Sequence, residues 1–373
     1  MKIAVLFGGR SPESDISVIT AMQALAALSE SEHEVHPVYI KDGIFYTGGM
    51  NSVSAFTPFR PEEHTAVTLA DGVFCSVKRG KLKREWKPDV ALICCHGGEG
   101  ENGVLQGLLD FNGVPYCSSD VAGSAIGMDK VLSKRIFDNM LLNVVPYAVL
   151  TRAECSEGKC PDVLKAAKLD YPLIVKPVSQ GSSIGISAAE DSEELARALE
   201  TAFEFGDKVI VEEKLVDFTE VNCAAFLRDG KVVVSETEQP VSAGDILTFE
   251  DKYMRGEKGG GNVMPAAIGD LNRVVRANTE RIYRELELFG VVRVDFLVDK
   301  TRGKVYVNEI NTVPGSFAFY LFEPLGINFT ELLEELIAEG AARGKRIAGR
   351  TVFRSPVLEF YGKRGAKSRF AKK

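Results

Sequence analysis

The sequence predicts an α/β and α+β chain. An open parallel-sheet domain comes first, then a small central domain, then a domain with a largely antiparallel sheet. Three observations lead there. The chain has 373 residues, more than a single core usually organises, so two or three packed units are expected. Apolar strands alternate with amphipathic helices in the N-terminal part, the pattern of a wound sheet. Further along, strand pairs joined by glycine turns replace that alternation.

Lys2–Phe7 reads as a buried first strand, and Gly8-Gly9-Arg10-Ser11-Pro12-Glu13 as a turn. A helix is expected over Asp15–Leu28, where Ile16, Ile19, Met22 and the alanines make an apolar stripe. Glu34–Ile40 is a second strand. Residues 42–83 hold short strand-like pieces and turns, read as a hairpin excursion. Asp89–Cys95 is another buried strand, ending in His96-Gly97-Gly98-Glu99-Gly100. A helix over Val104–Phe111 and a short strand over Val114–Cys117 close an N-terminal domain spanning 1–120.

A central unit is expected over 121–213. It opens with a helix over Asp129–Met140. A strand at 144–150, a helix at 162–169, a strand at 171–177, a helix at 191–205 and a strand at 208–213 follow. The third unit spans 214–342. Its first hairpin pairs Val221–Leu227 with Lys231–Glu236 across Arg228-Asp229-Gly230. A polar stretch then runs from Pro240 to Pro265, before a helix at 270–288. The second hairpin pairs Val291–Val298 with Lys304–Ile310, and a last helix spans 330–342.

Composition narrows the function classes. The chain is 45% hydrophobic and 26% charged, which excludes a wholly disordered or fibrous protein. Its formal charge of −7 is uneven. The tail over 343–373 holds eleven Lys/Arg and one acid, leaving 34 basic and 51 acidic residues, or −17, on the rest. The tail reads as a solvated end. No module for nucleic acid is recognisable, and none is expected as a partner. Seven cysteines, with Cys94 and Cys95 inside an apolar run, fit reduced thiols in a core better than a disulfide framework. No run approaches the ~18 apolar residues of a membrane span, and the opening residues do not form a signal peptide. A cytoplasmic enzyme is the expectation.

The second hairpin carries the strongest chemistry. Asp295 lies in its first strand, and Glu309 and Asn311 in its second. Positions two apart on a strand share a face. Carboxylates in apolar strands are costly unless they meet a cation. Two carboxylates and an amide form a hard oxygen set suited to magnesium on phosphates. Lys176, deep in an apolar strand, needs an anion. The loop after it, Ser179-Gln180-Gly181-Ser182-Ser183, offers N–H groups and hydroxyls to phosphate. The spacing is neither that of a P-loop nor that of a dinucleotide fold. Lys130 and Lys252 are further candidate phosphate ligands. Glu212, Glu213 and Glu220 sit where a hinge could present an adenosine site. Glu13 could orient a substrate ammonium, and His96 ends a buried strand.

Taken in order, these motifs resemble the D-alanine–D-alanine ligases of the ATP-grasp superfamily. The shared stretches are Gly8-Gly9-x-Ser11-x-Glu13, His96-Gly97 with Gly100-Glu101-x-Gly103, and Met128-Asp129-Lys130. Lys176-Pro177 with Gly181-Ser182-Ser183-x-Gly185, Lys252-Tyr253, Arg293-x-Asp295 and Asn308-Glu309-x-Asn311-Thr312-x-Pro314-Gly315 complete them. The resemblance covers roughly residues 2–338. It implies an ATP-grasp fold, with ATP between the central and C-terminal domains and a dipeptide product formed through an acyl phosphate for peptidoglycan. Lys130, Lys176, Ser182, Ser183 and Lys252 would hold phosphates. Glu212, Glu213, Leu215 and Glu220 would line the adenosine pocket. Asp295, Glu309 and Asn311 would carry two magnesium ions, which manganese can replace. Glu13 would anchor the first D-alanine's ammonium in a network with Ser182 and Tyr253, and His96 would lie beside that substrate's carboxylate. Arg293 and the Gly315 N–H would stabilise the oxyanion. The 240–265 stretch would be a lid, and the family implies a homodimer.

The sequence departs from the family after Gly315. Ser316-Phe317-Ala318-Phe319-Tyr320-Leu321 places Tyr320, followed by Leu321, where the family's serine binds the second substrate's carboxylate. The second substrate is left open between D-alanine held differently, D-serine, D-lactate and another amine.

Overall fold

The computed structural model describes residues 1–241, 262–350 and 352–364, with side chains through Tyr361. The polar stretch, with Lys252 and Tyr253, lies largely outside the described residues.

Strands β1 (Lys2–Gly8), β2 (Glu34–Lys41), β3 (Ile44–Thr47), β4 (Thr65–Ala70), β5 (Val73–Lys78), β6 (Lys81–Trp86) and β7 (Val90–Ile93) form one sheet. Its order is β6-β5-β4-β3-β2-β1-β7. Ile3 to Phe7 and Val90 to Ile93 are fully buried, as expected of strands covered on both faces. β1 runs parallel to β2 and β7. From β2 to β6 every pairing is antiparallel, so the stretch read as a hairpin excursion extends the parallel core of β2, β1 and β7 into a mixed sheet. Two-residue turns, Asp42-Gly43, Asp71-Gly72 and Arg79-Gly80, join three of these pairs, and all six residues have positive φ. That is the turn whose twist matches antiparallel strands. Tyr116 makes only an isolated bridge to Ala91 in place of the expected short strand. Helices α1 (Ser14–Ala27), α2 (Gly98–Glu101) and α3 (Val104–Phe111) complete this unit.

Next come α4 (Val121–Met128) and α5 (Lys130–Asn139). The Asp129 carboxylate caps α5 by accepting from Val131 and Leu132 N–H, each at 2.9 Å. Then follow β8 (Tyr147–Thr151), α6 (Arg152–Ser156), α7 (Cys160–Ala166), β9 (Leu173–Pro177), β10 (Ser187–Ala189), α8 (Ser192–Phe203) and β11 (Lys208–Glu213). The sheet is antiparallel, in the order β10-β9-β11-β8. One expectation about thiols is corrected here. Cys155 and Cys160 form a disulfide, because the turn between α6 and α7 brings their Cα atoms to 5.1 Å. The other five cysteines are buried free thiols.

The third sheet has the order β13-β12-β14-β15, from β12 (Phe218–Arg228), β13 (Lys231–Glu238), β14 (Val292–Asp299) and β15 (Lys304–Asn311). Helix α9 (Leu271–Glu285) buries Val275, Ile282 and Tyr283 against it. Helix α10 (Phe329–Ala348) places Leu332, Leu333, Leu336 and Ile337 in a core shared with β1, β7 and Phe226. It runs past residue 342, so the tail expected from 343 begins inside it. A short helix, α11 (Val357–Arg364), follows.

Candidate active site

The second and third sheets face each other across a cavity of about 690 Å³. Strand β9 delivers Lys176, β11 delivers Glu212 and Glu213, and the start of α5 delivers Lys130. Opposite them, β12 brings Glu220 and Asn222, β14 brings Asp295, and β15 brings Asn308 and Glu309. Ser183 and Leu215 also line the cavity. Ile174, Ile186, Ala188, Phe296 and Leu297 give it apolar walls.

Register explains how the carboxylates meet. Asp295 stands opposite Glu309, and Arg293 opposite Asn311. The ladder then slips between Asp295 and Phe296, leaving Asn308 as the extra residue of a bulge. The Arg293 guanidinium donates twice to Asp295, at 2.6 and 2.8 Å. Asn311 donates to Asp295 at 3.0 Å. Lys130 Nζ lies 3.2 Å from Glu309 and donates to the Gln180 carbonyl at 2.7 Å. Lys176 Nζ donates to Glu212 at 2.8 Å and to Asn308 at 3.3 Å. The sequence reading missed Lys134, which is 1% exposed and lies 3.1 Å from Glu212. Burial alone raises the Glu212 pKa, but Lys134 and Lys176 outweigh it and bring it down to about 2. Lys134 is shifted downward, chiefly by burial. Glu213 is engaged by Arg302 at 2.6 Å, a further residue the sequence did not single out.

Glu13 lies at the other end. The Ser182 hydroxyl donates to it. A Cβ at Gly97 would stand 2.5 Å from the Glu13 carboxylate, and one at Gly181 2.9 Å from it. Both glycines therefore leave room for this acid. Ser182 and Ser183 take positive φ, and Gln180 and Ser183 line the cavity.

His96 is fully committed. Its Nδ1 lies 2.7 Å from the Val313 carbonyl, which can only accept. Its Nε2 lies 2.7 Å from Thr20 Oγ1. Nδ1 therefore carries the proton, and Nε2 accepts from Thr20. Thr20 in turn accepts from the Ser316 N–H at 3.1 Å. Burial drives the His96 pKa down to about 4, so the ring is neutral near pH 7 and orders the 313–316 turn. Glu101, unassigned by sequence, accepts from the Gly97 and Val313 N–H groups at 3.0 and 3.1 Å and ties the same loops together. Burial and the Glu13 charge raise its pKa to about 7, against those hydrogen bonds.

Gly315 opens a 3-10 turn, Gly315–Leu321, in which Ser316, Phe317 and Ala318 all have left-handed φ. No neighbour approaches the Gly315 Cβ position within 4 Å. Tyr320 donates its hydroxyl to Glu238 at 3.2 Å. Leu321, expected to touch substrate, has no exposed surface and packs into the shared core. Among the described residues, no group of three or more His, Cys, Asp or Glu side chains forms a metal cluster, and no helix is long and apolar enough to cross a membrane.

Comparisons with known proteins bear on this geometry. A family model for the D-ala D-ala ligase N-terminus matches residues 2–119, and one for the D-ala D-ala ligase C-terminus matches residues 136–338. The chain is 35% identical to the D-alanine–D-alanine ligase of Thermosipho africanus over 349 residues, covering 91% of this chain and 92% of that one. It is 34% identical to the enzyme of the same name from Caldicellulosiruptor bescii, covering 91% and 94%. Among solved structures, the VanG D-Ala:D-Ser ligase from Enterococcus faecalis superposes with a TM-score of 0.77 at 28% identity, covering 91% of this chain and 99% of that one. The D-alanine-D-alanine ligase from Coxiella burnetii shares the fold, with a TM-score of 0.77 at 24% identity over 97% and 99% of the two chains.

Proposed function

The chain belongs to the D-alanine–D-alanine ligase family of the ATP-grasp superfamily, and we propose that it joins D-alanine to a second amino acid at the expense of ATP, yielding a dipeptide for peptidoglycan precursors. One observation carries this reading. Asp295 and Glu309 stand opposite each other on the cavity wall, facing a second wall that holds the buried cations Lys130 and Lys176. A triphosphate between those walls would meet lysines on one side and carboxylates needing a cation on the other.

The donor set fits magnesium, with manganese as a substitute. Asp295, Glu309 and Asn311 offer hard oxygens, and the first two are already compensated by Arg293 and Lys130. Bound there, two ions would neutralise charge on the transferring phosphoryl group. The protein's own residues do the rest. Lys130 and Lys176 would exchange Glu309 and Glu212 for phosphate oxygens. The apolar walls with Leu215 would take the adenine, and Glu220 the ribose. Glu13, braced by Ser182, would accept from the donor's ammonium. Arg293 and the Gly315 N–H would meet oxyanion charge that develops as the amine attacks.

The test is ADP release dependent on D-alanine and magnesium, with mass detection of the product. Glu309→Ala should lower turnover by more than about a hundredfold, or roughly 3 kcal/mol in the barrier. Near-normal turnover at ordinary magnesium would sink the assignment. A second reading keeps the same ATP chemistry but gives it another second substrate. Tyr320 favours it, because its bulk and its committed hydroxyl alter the place of the family's serine.

A further inference from the structure

The third sheet carries one polar row from edge to edge. Glu238 on β13 is the register partner of Asn222 on β12, Asn222 of Asp295 on β14, and Asp295 of Glu309 on β15. The row therefore continues the proposed magnesium face two strands further, to a carboxylate that the sequence reading did not mark. Glu238 is 1% exposed. One of its oxygens accepts from Asn222 at 3.2 Å and from the Tyr320 hydroxyl at 3.2 Å. The other accepts from Asn262. All three donors are neutral. Asp295 has Arg293 and Glu309 has Lys130, but among the described residues Glu238 has no cation within ion-pair distance. A buried carboxylate met only by neutral donors is less fully compensated than one that also meets a cation.

Tyr320, at the position where the resemblance places the second substrate's carboxylate, is hydrogen-bonded to Glu238. A phenol has one proton, and Tyr320 gives it to Glu238. The hydroxyl then offers only lone pairs to a neighbour and cannot serve as a clamp for a substrate carboxylate. We infer that Glu238 is a specificity-determining residue for the second amino acid, and that it selects an acceptor whose side chain donates a hydrogen bond, from a hydroxyl or an ammonium, at the Tyr320 end of the site. The inference rests on the ligase reading above. A D-alanine methyl group has nothing to give this carboxylate, whereas a donor-bearing side chain would add a charge-assisted hydrogen bond.

The experiment uses the full chain with ATP, magnesium and D-alanine as donor. D-alanine, D-serine and D-ornithine are supplied in turn as acceptors to wild type, Glu238→Gln and Tyr320→Phe. Initial rates of ADP release give kcat and KM for each acceptor, and mass detection identifies the products. Hydroxylamine trapping without acceptor reports acyl phosphate formation separately. Wild type should prefer D-serine or D-ornithine over D-alanine by about tenfold in kcat/KM, the worth of one hydrogen bond to a charged group. Glu238→Gln should erase that preference through the acceptor KM, with the ATP KM and the hydroxamate yield unchanged. Tyr320→Phe keeps the carboxylate and should keep the ranking, so it serves as the second variant if Glu238→Gln does not fold. Preference for D-serine identifies the hydroxyl form of the donor, and preference for D-ornithine the ammonium form. Wild type favouring D-alanine, or the same ranking in Glu238→Gln, overturns the inference alone. Absence of hydroxamate in wild type removes the ligase reading and the inference with it.

Discussion

Three buried side chains have shifted protonation, His96 and Glu101 through burial and Glu212 through its two lysines, and each leaves a mark on stability. His96 titrates near 6.5 when exposed and is lowered to about 4 here. The folded state therefore binds fewer protons than the unfolded chain between those values. Its contribution is intact above pH 6.5 and is lost as pH falls towards 4. The shift corresponds to roughly 3 kcal/mol at most. Glu212, lowered from 4.5 to about 2, behaves likewise at lower pH: stability present above 4.5 is lost on the way down to 2. Glu101, raised from 4.5 to about 7, has the opposite sign, and folding is penalised as pH rises through that window. Between pH 7.5 and 4.5 the His96 and Glu101 contributions oppose each other, so the imidazole is read as a difference between two chains. The urea midpoint of His96→Gln, which cannot charge, should gain on that of wild type as pH falls through this window. A difference that stays constant with pH would show that the imidazole is not the group responsible. Glu212→Gln should cost about 3–5 kcal/mol at pH 7, because it leaves Lys134 buried without its anion. A loss under about 1 kcal/mol, on the scale of an exposed pair, would mean that the pair is open to water.

The elements of the first sheet divide by how far sequence could reach them. β1 and β7 were legible because a fully buried strand is a continuous apolar run; α1 was located, but it buries Ser17, Val18, Thr20, Ala21 and Ala24, while Ile19 of the expected stripe is exposed. The meander β3–β6 was read only as a hairpin excursion, without its separate strands, since these are short and half exposed. Even so, Asp42-Gly43 and Asp71-Gly72 carry the same signal that revealed Asp229-Gly230, and all three turns have positive φ at both residues. The second hairpin gave up its Asp295, Glu309 and Asn311 face through period-two spacing. Lys134 and Glu238 stayed hidden, because a lone charge on a helix or an edge strand looks like surface until the register is known. The Gly315–Leu321 turn could not be read at all, since none of its left-handed residues, Ser316, Phe317 or Ala318, is glycine. Such conformations cost about 1 kcal/mol or more per residue. Ala318→Gly should therefore raise the thermal midpoint, by the equivalent of about 0.5–1 kcal/mol, despite the fully buried site. A lowered midpoint would show that the Ala318 methyl contributes more packing than its φ costs.

At the scale of the whole molecule, α10 fastens the third sheet to the first. Its apolar face shares a core with β1 and β7, and its last turns continue the join with polar and aromatic contacts. The Arg343 guanidinium lies 4.2 Å from the Phe289 ring centre and donates to Asp120 at 3.2 Å. Gly344 passes so close to Pro115 that a Cβ there would meet the ring at 2.3 Å. Arg343 thus ties the loop before α9's neighbour strand β14 to the start of α4, although composition alone assigned it to a solvated basic tail. Two truncations separate these descriptions. A chain ending at Arg350 keeps every one of those contacts and should retain wild-type turnover and melting behaviour. A chain ending at Ala342 loses the Arg343 contacts and the last turns of α10, and should melt several degrees lower, the effect of about 2 kcal/mol on a protein of this size. Its KM values should rise as the first sheet, which carries Glu13 and His96, loosens from the third, which carries Asp295 and Glu309. Equal melting of the two chains would return residues 343–350 to the tail and leave the join to the apolar face of α10 and the 313–322 segment.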